Sequence, residues 1–207
     1  MEFHDAASTM GTCRFYRDEP VPDDMLVRAV DVARFAPTGG NRQGVRFVVV
    51  KDAAKRRQLA ELYVPLWERY VGAVDPASAP VAVRNADHFA HHLADVPALV
   101  VVCARSRDLL ATDAELGRLS VVGGCSIYLS VQNFLLGCRD QGLATAVTTL
   151  LCYVEPQVKE LLQIPDDFLT AAHIAVGWPE RPFPTRLNRR PVEEIIFADT
   201  FGAPLTT

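Results

Sequence analysis

Residues 34–47, Arg34-Phe35-Ala36-Pro37-Thr38-Gly39-Gly40-Asn41-Arg42-Gln43-Gly44-Val45-Arg46-Phe47, lead out of an amphipathic helix and into an apolar strand. Pro37 disfavours a helical conformation at Ala36, and Gly39-Gly40 can take positive φ angles, so backbone amides here can turn outward together. Asn41 and Gln43 each add a donor and an acceptor, the pair needed to read an amide-like edge. The loop suits a planar or anionic ligand, although Gly and Asn also serve ordinary surface turns.

Upstream, the prolines and acidic pair of Glu19-Pro20-Val21-Pro22-Asp23-Asp24 mark a helix start, and Leu26, Ala29, Val30 and Ala33 share one face of a helix over about 23–36. Downstream, Phe47–Val50 reads as a buried strand. Asp52 caps a helix with apolar positions Leu59, Leu62, Tyr63, Leu66 and Tyr70, which Pro65 should kink or end. Gly, Ala, Pro and Ser dominate from Gly72 to Val83, which reads as a mobile lid or excursion.

A short helix follows at 88–93, and Pro97 opens a strand over 98–104. The span 119–136 is apolar on nearly every face and reads as one buried helix needing a second subunit as cover. Then come a strand over 143–149, a helix over 155–162, a strand over 171–176 and an extended tail over 178–193 rich in Pro and Arg. Ile195-Ile196-Phe197 calls for a sheet edge or a partner. Strands separated by helices give an α/β or α+β layered fold, read as a single domain over 1–207.

The 207 residues allow a sizeable core, and 49% apolar with 22% charged residues is an ordinary globular composition. A net charge of −4 gives no overall attraction to nucleic acid or anionic membrane, and no apolar run approaches a membrane span. The N-terminus lacks a basic segment followed by an apolar one, so a cytoplasmic protein is expected. Five cysteines without a Cys-x-x-Cys pair read as reduced core residues.

Nucleophilic catalysis finds no Gly-x-Ser-x-Gly elbow. His88 and His92 share a helix face, but Phe89 stands where a zinc protease carries Glu, and no third ligand is evident, so no metal is expected. Walker and Gly-x-Gly-x-x-Gly loops are absent. Thr12, Arg14, Arg186, Arg189 and Arg190 remain as scattered candidates for a phosphate.

Five ordered motifs change the picture: Arg14-Phe-Tyr-x-x-Glu-Pro-Val-Pro, Ala33-Arg-Phe-Ala-Pro-Thr-Gly-Gly-Asn-Arg-Gln, Gly124-Cys-Ser-Ile-Tyr-Leu-Ser-Val-Gln-Asn, Val176-Gly-Trp-Pro and Arg189-Arg-Pro-Val-Glu-Glu. Together they resemble the nitroreductase family of FMN-dependent oxidoreductases over about residues 10–198. The resemblance implies an α-β-α sandwich around a mixed sheet, in an intertwined homodimer with exchanged C-terminal arms and two FMN sites at the interface. It also implies an NADH or NADPH donor and a nitroaromatic, quinone or similar small-molecule acceptor. Reductive dehalogenation, flavin fragmentation and flavin sequestration without turnover are the alternatives.

Carried over, the resemblance implies that Arg14 and Arg189 grip the FMN phosphate, and that Met10, Gly11, Thr12, Cys13 and Arg14 line the phosphate and ribityl chain. Thr38, Gly39, Asn41 and Gln43 approach from the opening loop, and Val147, Thr148 and Thr149 run past the ring. The flavin carries the chemistry, with no catalytic side chain. Trp67, Tyr70 and Phe89 wall a substrate pocket in the variable stretch 63–92, unless they simply pack the core. Met10, Gly11 and Thr12 replace the family's usual arginines and serine, which implies a weaker clamp that Arg17 or Arg186 would have to reinforce. Gly44-Val45 replaces a frequent Pro-Trp.

Overall fold

The computed structural model describes residues 1–72 and 78–205. Four strands form one sheet in the order β1-β2-β4-β3: β1 (Val45–Val50), β2 (Ala98–Arg105), β3 (Ala144–Thr148) and β4 (Phe168–Gly177). All three pairings are antiparallel. The parallel component of the expected mixed sheet is an isolated bridge between Thr12 and Thr145.

The sheet is covered on both faces. Ala98, Val100, Val102, Ile174 and Val176 point toward α2 (Asp23–Ala33) and α5 (Cys125–Asp140). Leu99, Val101, Cys103, Ala146 and Ala175 point toward α3 (Ala53–Val71), α4 (Val81–His91) and α6 (Glu155–Leu162). This is the expected layered sandwich. Its two inner strands are buried on both faces and read as continuous apolar runs.

Local chemistry accounts for the elements. Asp23 and Asp24 sit in the first turn of α2, where the helix dipole favours negative charge. The Asp52 carboxylate accepts the Lys55 amide at 2.8 Å, as its position before α3 implies. Helices α2 and α5 approach closely because Gly137 has no side chain: a Cβ there would lie 3.1 Å from the Ala29 Cα.

Several boundaries differ from the sequence reading. β1 is an edge strand with Val49 exposed, not a buried one; among the described residues no strand pairs beyond it. Pro65 neither ends nor divides α3, which continues to Val71 on packing from Leu66 and Trp67. The apolar span 119–136 is not one helix: α5 begins at Cys125. The buried Asp113 carboxylate instead collects the Ser120 hydroxyl at 2.7 Å, the Val121 amide at 2.9 Å and Arg118 at 2.9 Å, which holds 118–121 outside the helix. The sequence reading passed over α1 (Phe3–Thr9), a short helix that buries Ala6 and lies against α5. The lid reading of 72–83 falls partly on residues 73–77, outside the described residues, and from Val81 the chain is already helical.

Candidate functional site at the β3 edge

Segment 12–17 runs alongside β3 and the exit of β4. The Cys13 amide donates to Thr145 O at 2.9 Å, Arg17 N to Trp178 O at 2.9 Å and Glu180 N to Phe15 O at 3.1 Å. Tyr16 seats against Gly177, where a Cβ would meet its ring at 2.8 Å, and its hydroxyl donates to Cys13 O at 2.8 Å. Arg14 is thereby fixed at the sheet edge, half-buried, with no ion-pair partner among the described residues.

Two cavities meet at Thr12 and Arg14. The first, about 350 Å³, is bounded by Tyr63, Trp67 and Phe89 on one side and by 146–150 on the other. Trp67 and Phe89 are buried and Tyr70 stands exposed at the mouth, so these three do belong to one pocket wall. Trp67 Nε1 donates to Asp87 Oδ1 at 2.8 Å, tying α3 to α4, and Phe89 meets Tyr63 edge-on at 6.4 Å. The Tyr63 hydroxyl lies 3.2 Å from Thr148 Oγ1, and burial raises its pKa. The second cavity, about 290 Å³, is enclosed by residues 11–15 and the returning tail at 179–187.

The opening loop lies elsewhere. Thr38 Oγ1 accepts the Gln43 amide at 3.1 Å, Gly39 N donates to Ser126 Oγ at 3.1 Å, and Gln43 Nε2 reaches Asn41 Oδ1 at 3.2 Å. Gly40, Asn41 and Gln43 take φ values of 59°, 54° and 52°. Gly44 is bare for a reason: a Cβ there would sit 2.9 Å from Asp108, so a larger residue at this position does not fit as the chain stands. Thr38 and Gln43 line a separate groove of about 810 Å³ between α2 and β1. Because β1 and β3 are opposite edges, three strand spacings of about 4.8 Å, roughly 14 Å, separate those two strands, and Arg14 lies on the segment beyond β3, so loop and Arg14 stand at opposite sides of the sheet within one chain.

Arg189 is exposed, donates to Asn188 O at 2.7 Å, and lies outside both Arg14 cavities. Nor does Arg17 reinforce Arg14: it pairs with Glu19 at 3.2 Å and lies over Trp178. Sequence reading overlooked His173 on β4. It stands in register with Thr148, so their side chains share the face toward α3, and it is fully buried. Among the described residues neither ring nitrogen has a hydrogen-bond partner of good geometry, and burial pushes its pKa down to about 4, only partly offset by the nearby Thr148 backbone. A lone histidine inside the apolar run Ala171–Val176 was the available signal.

The residues fit a flavin mononucleotide at two points: an arginine with no ion pair among the described residues at the junction of two cavities, and the stretch 147–149, past the Thr12–Thr145 bridge, facing an aromatic wall. Comparisons with known proteins agree on the fold. The solved iodotyrosine deiodinase bound to FMN and 3-iodo-L-tyrosine superposes with a TM-score of 0.75 at 22% identity, covering 97% of this chain and 100% of that one. The chloronitrobenzene nitroreductase of Comamonas testosteroni is 27% identical over 193 residues, 82% of this chain and 83% of that protein. The 5,6-dimethylbenzimidazole synthase of Rhodospirillum rubrum is 28% identical over 180 residues, 83% and 80% of the two chains. A family model described as Nitroreductase family matches residues 11–178, and the chain belongs to that family.

Proposed function

We propose that this protein is an FMN-dependent NAD(P)H oxidoreductase of nitroreductase type, one FMN-binding domain per chain, acting as a homodimer. The observation that carries the reading is the division of candidate ligands between opposite edges of the sheet. Gly11–Arg14 and Val147–Thr149 form one half of a cleft, Met10 packing instead against the core on the α2 and α5 face, and Thr38–Gln43 forms the other half in a second copy.

Surface chemistry supports the second copy. Leu119 and Val121 are exposed beside α5, and Ile195 and Phe201 are exposed on the C-terminal arm. The outer edge of β1 is unpaired among the described residues, a template for an exchanged arm.

Bound FMN supplies hydride acceptance and return at N5, so no acid, base or nucleophile is required of the chain. Arg14 and Thr12 anchor the phosphate end by charge-assisted and neutral hydrogen bonds. Backbone at 147–149, which lines the cavity at Arg14, would hold the ring, and its amides would favour negative charge there. Trp67, Tyr70 and Phe89 orient first a nicotinamide and then an acceptor over the same exposed face, which gives ping-pong kinetics. Micromolar to nanomolar retention needs about 8–12 kcal/mol; one charge-assisted hydrogen bond gives about 1.5–3 and ring burial roughly 4–6, so a single arginine leaves a bound but exchangeable cofactor.

The purified protein is expected to be yellow, to bleach anaerobically with NADH or NADPH, and to recover colour with a nitroaromatic. Relatives named as an iodotyrosine deiodinase and a 5,6-dimethylbenzimidazole synthase motivate a second reading, dehalogenation or flavin fragmentation. Recovery only with a halogenated aromatic, or loss of the flavin spectrum under oxygen, favours that reading. Colour that neither nicotinamide bleaches points to flavin sequestration.

A further inference from the structure

We infer that Arg181 is the second cation of the phosphate clamp. This rests on the flavin reading above and names a binding residue outside the five motifs. The smaller cavity holds Arg14 and Thr12 on one wall and Arg181 on the other. Neither guanidinium has an ion pair among the described residues; Glu180 forms none with its neighbour Arg181. Arg14 is half-buried and Arg181 exposed, so an anion in this cavity would meet two cations that have no ion pair among the described residues. A phosphate monoester carries a charge of about −1.5 to −2 at neutral pH and matches that pair. Guanidinium forks and a threonine hydroxyl suit its three oxygens.

The Arg181 side chain is positioned before any ligand arrives. Its guanidinium lies over the Phe15 ring at 5.0 Å, and Phe15 is stacked on His88 from behind at 4.6 Å. The tail that carries Arg181 is docked against segment 12–17 by the Glu180 amide, which donates to Phe15 O at 3.1 Å, and against α1 by the Leu187 amide, which donates to Ser8 O at 2.8 Å. Gly11 lies close to this docked tail: a Cβ there would approach Leu187 Cδ2 to 3.1 Å, a tight contact that a small shift of the leucine tip relieves. The other basic residues are placed differently: Arg17 is paired with Glu19, and Arg186 and Arg189 lie outside the cavity.

The test compares FMN with riboflavin, which has the same ring and no phosphate, titrated into flavin-free full-length protein. Arg181→Gln is expected to raise the FMN dissociation constant about tenfold or more, to leave riboflavin affinity unchanged, and to flatten the salt dependence of FMN binding. Arg181→Lys, which keeps the charge, recovers part of the loss. Unchanged FMN affinity in Arg181→Gln overturns the inference, and so does an equal loss for both flavins, which would make Arg181 a packing residue for Phe15. A wild-type protein that binds neither flavin overturns the functional reading itself.

Discussion

At the β3 edge, segment 12–17 is tied by backbone hydrogen bonds to β3 and to the chain leaving β4, and its tyrosine is locked beneath a glycine that admits no side chain. At the β1 edge, the loop 38–43 has one hydrogen bond to α5 and one from the Arg46 side chain on β1 to Gln43 O, and otherwise bonds to itself, with three residues at positive φ. The first half-site is stable in isolation because the sheet builds it. The second holds a sparsely populated backbone conformation of the kind that persists where a ligand or partner uses it. A cofactor bridging the two would find one rigid wall and one strained one, the second being the part able to admit and release it.

The largest expected effect tests how firmly the rigid half is set. His173 is buried neutral beneath Thr148, with a pKa near 4 against an ordinary 6.5. The folded state disfavours the protonated ring, so as pH falls below about 6.5 the unfolded chain binds the proton first. Stability therefore drops until about pH 4 and stays reduced below it, by roughly 3 kcal/mol in all. Chemical denaturation between pH 7 and 4 measures this loss. His173→Phe should remove most of the slope attributable to this group, and a slope unchanged in that variant would show that other groups dominate.

Arg14→Ala comes next. It removes a charge from the rigid half without touching the core, so FMN affinity should fall about 10- to 100-fold while the melting temperature of flavin-free protein stays nearly constant. Calorimetric titration beside a thermal melt checks both. Equal flavin content in wild type and variant would contradict the placement of the phosphate.

The same contrast explains what was legible in the sequence. The helix over 155–162, the Asp52 cap and the two inner strands were readable because spacing, capping and long apolar runs are local signals. The false start of α5 was not readable, because a single buried carboxylate at Asp113 overrides an apolar pattern from several residues away. Likewise Trp67, Tyr70 and Phe89 were read as one pocket wall and Thr12 and Arg14 as phosphate candidates, yet only the fold puts all five around one cavity. Arg181 carried no local signal at all; its role depends on where the tail returns.

The smallest effect addresses the strained half. Gln43 sits at φ 52° and Arg42, one residue before it, at φ −71°. Glycine costs about 0.5–1 kcal/mol of chain entropy at an ordinary position, but at positive φ it also relieves strain of about 1 kcal/mol or more. Arg42→Gly should therefore lower the melting temperature by roughly 2–4 °C, whereas Gln43→Gly should leave it unchanged or raise it slightly. If the loop closes over the partner's flavin, Gln43→Gly also weakens FMN binding despite its undiminished stability. Opposite signs for stability and binding in one variant would mark this loop as strained for the ligand's sake. A loss in both would mean that Gln43 is an ordinary structural residue and that the second wall of the cleft lies elsewhere.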